Sequence, residues 1–192
     1  FTYVNSGNIY RAMTLRALRA SLDPGDVPAV LESSRAARID YRGGRLFLDG
    51  EDAEDELHSS SVDSLVAQLS AIPELRELVN GHVRRVAGAT DAVVEGRDMT
   101  TVVFPGAEAK FFLDASADSR ARRRFDQGVS GATLEEIRAN IAMRDDIDRS
   151  KSVGALKIAP DAEYLDSSNL NIQQDYHKVY AKILLLREHH GR

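Results

Sequence analysis

Three short strand-like segments, with stretches of helical periodicity before the first and between the second and third, constrain this chain more than anything else in it. They are Ala92-Val93-Val94, Lys110 to Asp114 and Glu163 to Asp166. A near-continuous apolar strand fits a parallel sheet buried on both faces, and strands alternating with helices imply a mostly parallel sheet with helices packed on it. The first run stops abruptly at Glu95-Gly96-Arg97-Asp98, and a second apolar stretch, Val102-Val103-Phe104, ends at Pro105. A strand ending this way delivers Arg97 and Asp98 side by side to its carboxyl end, where open α/β sheets place ligands. Arg suits a planar anion such as phosphate, and Asp suits a donor-rich edge such as an amine on a base. A strand-end salt bridge is the plainer account of the same pair.

Upstream, Thr2-Tyr3-Val4 reads as a short strand that turns at Asn5-Ser6-Gly7 into a helix starting near Asn8 and punctuated by Pro24-Gly25. Arg38 to Tyr41 and Arg45 to Leu48 flank Gly43-Gly44, a hairpin with a tight primed turn. Glu51 to Glu56 is acidic and expected to be exposed. Ser59-Ser60-Ser61 caps a helix through Leu65, Leu69 and Ile72, and Pro73 opens another with Leu75, Leu78, Val79 and Val83 on its apolar side. The hairpin and helix pair, over roughly 36 to 72, read as an insertion. Ser116 caps a helix over 118 to 125, Thr133 and Glu136 form a capping box, and Ile172 to Glu188 is a terminal helix.

Composition narrows the class of protein. At 192 residues, with 43% hydrophobic and 29% charged, the chain is expected to be one ordinary soluble domain with a sizeable core. The net charge of -5 argues against bulk nucleic-acid binding, although 25 Lys and Arg leave room for a local basic pocket. With no cysteine, disulfides and thiolate metal sites are excluded. No apolar run approaches the length of a membrane span and no leader is visible, so a cytoplasmic location without a membrane partner is expected.

Three further clusters carry chemistry. In Ser6-Gly7-Asn8-Ile9-Tyr10-Arg11 the backbone N–H groups of a helix start attract phosphate, with Arg11 one turn in. An ordinary Ser cap with a surface Arg gives the same pattern. Arg120, Arg122, Arg123 and Arg124 spread around a helix at about 100° per residue, so they cannot all address one ligand. Arg144, Asp148 and Lys151 stand at i, i+4 and i+7 on one helix face. Two cations around a carboxylate can hold a phosphate and a sugar hydroxyl, and a solvated ion-pair ladder has the same spacing.

Taken together, these residues resemble a family. Gly96-Arg97-Asp98-Met99, Lys110-Phe111-Phe112-Leu113-Asp114-Ala115-Ser116 and the arginine-rich helix after it are similar to bacterial cytidylate kinase. Ser6-Gly7-x-Ile9-Tyr10-Arg11, Pro73-x-Leu75-Arg76, the Arg144 to Lys151 run and Tyr164-Leu165-Asp166-Ser167-Ser168 follow in that family's order, so the resemblance covers almost the whole chain. It implies a P-loop-kinase-like α/β fold: a parallel sheet with helices on both faces, a monophosphate-binding insertion at 32–90 and a helical lid at 119–150 within one domain. It implies transfer of the γ-phosphoryl group of ATP, with Mg²⁺, to CMP or dCMP, by a cytoplasmic monomer with no nucleic-acid partner. Ser6, Arg11 and Arg97 would hold the acceptor's 5′-phosphate, and Arg76 and Asp98 would read cytosine. Arg144, Asp148 and Lys151 would hold the sugar, with Arg97 and Arg144 nearest the transferred group, and Arg120, Arg123 and Arg124 would begin the lid. Phosphoryl transfer asks a protein mainly for positioning and charge neutralisation, which suits such residues.

The chain also departs from that pattern. Asn5 stands where the family usually has Asp, Ala67 where a Ser commonly meets the base, Lys151 for an Arg and Thr100 for a Gly. These shifts leave a kinase with another acceptor, such as UMP, as an alternative. The largest departure is the phosphate-binding loop, Gly-x-x-x-x-Gly-Lys-Ser/Thr, which precedes the first strand in the family. Of five lysines only Lys151 is followed by a hydroxyl residue, and no glycine stands in register before it. No metal ligand is expected in these residues. Losing the central strand before that loop would leave buried backbone groups unpaired at about 1–3 kcal/mol each, against a whole-domain stability of about 5–15 kcal/mol. The expectation is a natural protein that continues upstream, with these 192 residues alone inactive and poorly folded. A non-catalytic nucleotide-binding module without a donor site is the other alternative.

Overall fold

The structure, a computed structural model, describes residues 1–128, 132–150 and 154–190, with side chains through Leu186. It divides into two compact units, Phe1–Gly96 and Arg97–Arg192. The architecture is mixed α/β, with parallel strand pairs flanked by helices.

In the first unit, strand β1 (Thr2–Asn5) runs parallel to β5 (Ala92–Glu95), in register from Thr2 opposite Ala92 to Asn5 opposite Glu95. Helix α1 (Ser6–Arg19) follows with no linker, because Asn5 itself is the cap: its side-chain oxygen accepts from the Asn8 N–H at 3.2 Å. The helix therefore starts two residues before the position expected from the Ser-Gly turn. Ile9, Ala12 and Met13 on α1 are buried against the other helices of this unit.

Helix α2 (Val27–Ala36) was not expected, and its signal was present. Asp26 accepts from the Ala29 N–H at 3.1 Å and Pro28 lies in the first turn, a combination that starts helices. The hairpin forms as expected: β2 (Ile39–Arg42) pairs antiparallel with β3 (Arg45–Leu48), with Arg42 opposite Arg45. Gly43 and Gly44 sit at φ 57° and 80°, the two positive values a primed two-residue turn demands. A short β4 (Glu51–Asp52) joins the hairpin; its two residues are exposed as expected, whereas Ala53 and Glu54 of the same acidic stretch are buried and half-buried. Helices α3 (Ser60–Leu69) and α4 (Pro73–Ala87) complete the unit. Leu46, Leu48, Leu57, Val62, Leu69, Leu75, Val79 and Val83 form its core, and each large aliphatic side chain so buried contributes about 1.5–3 kcal/mol.

In the second unit, Arg97-Asp98 leads into a single π-helical turn, Met99–Val103, rather than into a second extended segment. The Phe104 N–H reaches the Met99 carbonyl at 2.7 Å, and Pro105 follows where the turn must stop. Lys110 is buried and fastens this region, donating to the Pro105 carbonyl and to Asp161. Strand β6 (Phe111–Asp114) runs parallel to β7 (Glu163–Asp166), residue for residue. Ser116 caps α5 (Ala117–Asp126) by accepting from the Ser119 N–H at 3.2 Å. The Thr133–Glu136 capping box is formed in both directions at the start of α6 (Leu134–Ser150), which packs on α5. Helix α7 (Ile172–His190) ends the chain's described structure.

The strands depart from the sequence reading in their burial. Val93 is 55% exposed and Leu113 is 63% exposed, although both stand in apolar runs that predict burial on both faces. Successive side chains of a strand point to opposite faces, and Val93 and Leu113 lie on the exposed one.

Candidate functional site

In the first unit, the starts of α1 and of α4 carry the expected polar residues. Ser6 is the first residue of α1 and is buried. Tyr10, four residues on, shares its face of the helix, and the Arg76 guanidinium from α4 lies over the Tyr10 ring at 5.7 Å from its centre. Arg76 is itself buried and donates to the Ser70 carbonyl at 3.3 Å. Arg11 donates from Nη1 to the Leu57 carbonyl at 2.9 Å and to the Asp63 carboxylate at 2.6 Å. Glu54 binds both elements around α1's first turn, accepting from the Leu46 N–H at 2.8 Å and from the Asn8 side chain at 3.2 Å. Asn5 donates to Glu95, and the Tyr41 hydroxyl donates to the Asn5 carbonyl at 3.4 Å. The Tyr3 phenol is pushed up to about 12, first by burial and then by its hydrogen bond to Glu95.

The second unit concentrates opposite charges on α6. Arg97 forms an ion pair with Asp148, whose side chain is only 7% exposed against 43% for Arg97. Burial, and then the nearby Arg144 guanidinium, hold the Arg97 pKa below its ordinary value. Arg144 itself is exposed, one turn before Asp148. So Arg97, from the strand-end motif, lies beside Arg144 and Asp148 of α6. Asp98, next to Arg97, is buried at 4% exposure. Its carbonyl accepts from the Val102 N–H at 2.8 Å, which fixes the backbone carrying the carboxylate. Lys151 lies outside the described residues.

The arginine-rich helix does different work from a uniform cluster. Arg120 grips Asp145 of α6 with both terminal nitrogens, at 2.9 and 2.5 Å, and donates from Nε to the Ala115 carbonyl at 2.9 Å. Arg120's guanidinium holds the Asp145 carboxyl below the usual carboxylate range. Arg123 donates to the carbonyls of Ser167 and Leu170, tying α5 to the chain after β7. Arg122 and Arg124 are exposed. At the carboxyl ends of β6 and β7, Asp114, Ser116, Arg120, Asp145, Arg149 and Tyr164 line a polar cavity of about 370 Å³. Open α/β sheets bind ligands at this end. Asp145 and Asp63 were not singled out in the sequence. Asp145 precedes Asp148 by three residues and so shares its side of α6, a readable signal. Asp63 is exposed in an ordinary helix and carried none.

Chemically, the second unit supplies fixed guanidinium groups beside buried carboxylates, and the first supplies a helix start with two anchored arginines. Each arrangement by itself suits holding an anion without covalent participation. Among the described residues no three His, Asp or Glu groups converge as metal ligands, and no helix is long and apolar enough to cross a membrane.

A family model described as cytidylate kinase matches residues 1–184 of the chain. A cytidylate kinase of Caldanaerobacter subterraneus subsp. tengcongensis is 37% identical over 186 residues, covering 95% of this chain and 83% of the relative. One from Mycobacterium avium is 41% identical over 180 residues, covering 90% and 79%. One from Solibacter usitatus is 34% identical over 197 residues, covering 100% and 84%. The chain belongs to the cytidylate kinase family.

Proposed function

We propose that this member of the cytidylate kinase family transfers the γ-phosphoryl group of ATP to CMP or dCMP. The observation that carries the reading is Asp98: a carboxylate buried in a polar segment, directly after a guanidinium that Asp148 holds in place. A buried acceptor suits the exocyclic amine of cytosine, and the neighbouring arginine suits the phosphate of the same nucleotide. Ser6 and Arg11 add the helix-start phosphate contacts, and Arg76 adds a second polar contact to the base. Arg144 and Asp148 hold the sugar, with Arg97 and Arg144 offsetting charge that spreads over the moving phosphoryl group. Lys151 is assigned to the sugar as well. Arg120, Arg123 and Arg124 belong to the lid.

Magnesium accompanies ATP in such a reaction. In such reactions Mg²⁺ is held largely by the donor's phosphate oxygens and water, with few protein ligands. The test is a coupled assay of ADP release by the full gene product with CMP, dCMP, UMP and AMP. Preference for the two cytosine nucleotides is expected. Equal or greater turnover with UMP would overturn the acceptor assignment, and CMP binding without turnover would mark a binding module.

A further inference from the structure

Arg11 is held in an unusual way for a residue that is to meet a ligand. A guanidinium has five N–H groups, two of them on Nη1. Both Nη1 hydrogens are matched here, one to the Leu57 carbonyl at 2.9 Å and one to Asp63 at 2.6 Å. Both acceptors lie on the segment entering α3 or on α3 itself, which packs directly on α1. The opposite edge, formed by Nε and Nη2, has no partner among the described residues. That edge is the fork that matches two oxygens of a phosphate. The Arg11 side chain is 19% exposed, so the edge can be reached, while Asp63 at 53% remains in solvent.

We propose that Asp63 is a positioning residue for the acceptor's phosphate: with the Leu57 carbonyl it fixes Arg11 by Nη1 and leaves the Nε–Nη2 edge free for the anion. This rests on the phosphate role given to Arg11 above. A carboxylate beside an arginine can instead compete with an incoming anion. The geometry favours positioning, since Asp63 engages only the nitrogen that the Leu57 carbonyl already occupies. Ordering a long side chain beforehand spares about 0.5–1.5 kcal/mol of the cost of binding, which is roughly a two- to tenfold change in affinity.

The test is calorimetric titration of CMP and of cytidine into the protein and three variants. Asp63→Ala should weaken CMP about two- to tenfold and leave cytidine unchanged. Asp63→Asn keeps an oxygen for Nη1 and should recover most of that loss. Tighter or unchanged CMP binding by Asp63→Ala would overturn the proposal, as would an equal loss for CMP and cytidine, which marks a merely structural contact. Arg11→Ala separates the two readings. If it weakens CMP selectively while Asp63→Ala does not, only the positioning role fails. If it leaves CMP unchanged, the phosphate role of Arg11 fails.

Discussion

Arg11 and Arg76 in the first unit are held differently from Arg97 and Arg120 in the second. In Phe1–Gly96, Arg76 is anchored on a carbonyl and an aromatic face, and Arg11 on a carbonyl and one solvent-exposed carboxylate. In Arg97–Arg192, Arg97 and Arg120 are matched to the carboxylates of Asp148 and Asp145, neighbours on α6 that are largely shielded from solvent. A carbonyl fixes direction and leaves the cation's full charge for a ligand. A shielded carboxylate neutralises that charge and couples the arginine to folding, because removing one partner strands the other. Substitutions in the first unit should therefore change affinity, whereas those in the second should change affinity and stability together.

The largest expected effect concerns the phosphoryl donor. The 192 residues contain no Gly-x-x-x-x-Gly-Lys-Ser/Thr sequence, so Phe1–Arg192 assayed by itself should give no detectable transfer from ATP to CMP. Measurable ADP formation from this chain would show that other residues cradle the donor phosphates. Arg97→Ala comes next, as the sharpest case of coupling. CMP affinity should fall by about 2–3 kcal/mol with little change for cytidine, and stability should drop because the buried Asp148 carboxylate loses the Arg97 guanidinium. Denaturant unfolding with parallel titrations reads both. A loss of affinity with no loss of stability would break the comparison.

Asp98→Asn should cost about 1.5–3 kcal/mol of cytosine recognition, since an amide replaces a charged acceptor. Titrating CMP and UMP against both proteins checks this, and unchanged selectivity removes Asp98 from the base site. The smallest effect concerns Asp145. Its folded pKa lies below the ordinary carboxylate value because Arg120 favours the charged form. Its contribution is therefore complete above about pH 4, near the unfolded value, and is lost as pH falls through the folded pKa. Wild type should exceed Asp145→Asn by up to about 1 kcal/mol at pH 6, and the gap should close on acidification. A constant gap in thermal melts from pH 6 to pH 2 would mean that packing, not charge, sets the difference.

Local features were legible in the sequence wherever one short segment decides its own conformation. Gly43-Gly44 dictated its turn through two positive φ values, and Thr133 with Glu136 satisfied each other within four residues. Helix α2 has a local signal too, in Asp26 and Pro28. The pairing of Arg97 with Asp148 was not legible, because spacing along the chain says nothing about which helix meets a strand end; the resemblance implied only that Arg97 and Arg144 lie near the transferred group. Tertiary structure alone decided the rest. Val93 and Leu113 look like core in the sequence and are exposed, since burial depends on what lies across a sheet and not on the strand's own residues. Val102-Val103-Phe104 has the composition of a strand, yet Met99–Val103 closes as a π turn held at Asp98. Arg123 reads like its neighbours in a basic run, and only the path of the chain after β7 gives it two carbonyls to hold. Residue types and local turns are properties of the chain, while burial, ion pairing and the free edge of Arg11 are properties of distant segments brought into contact.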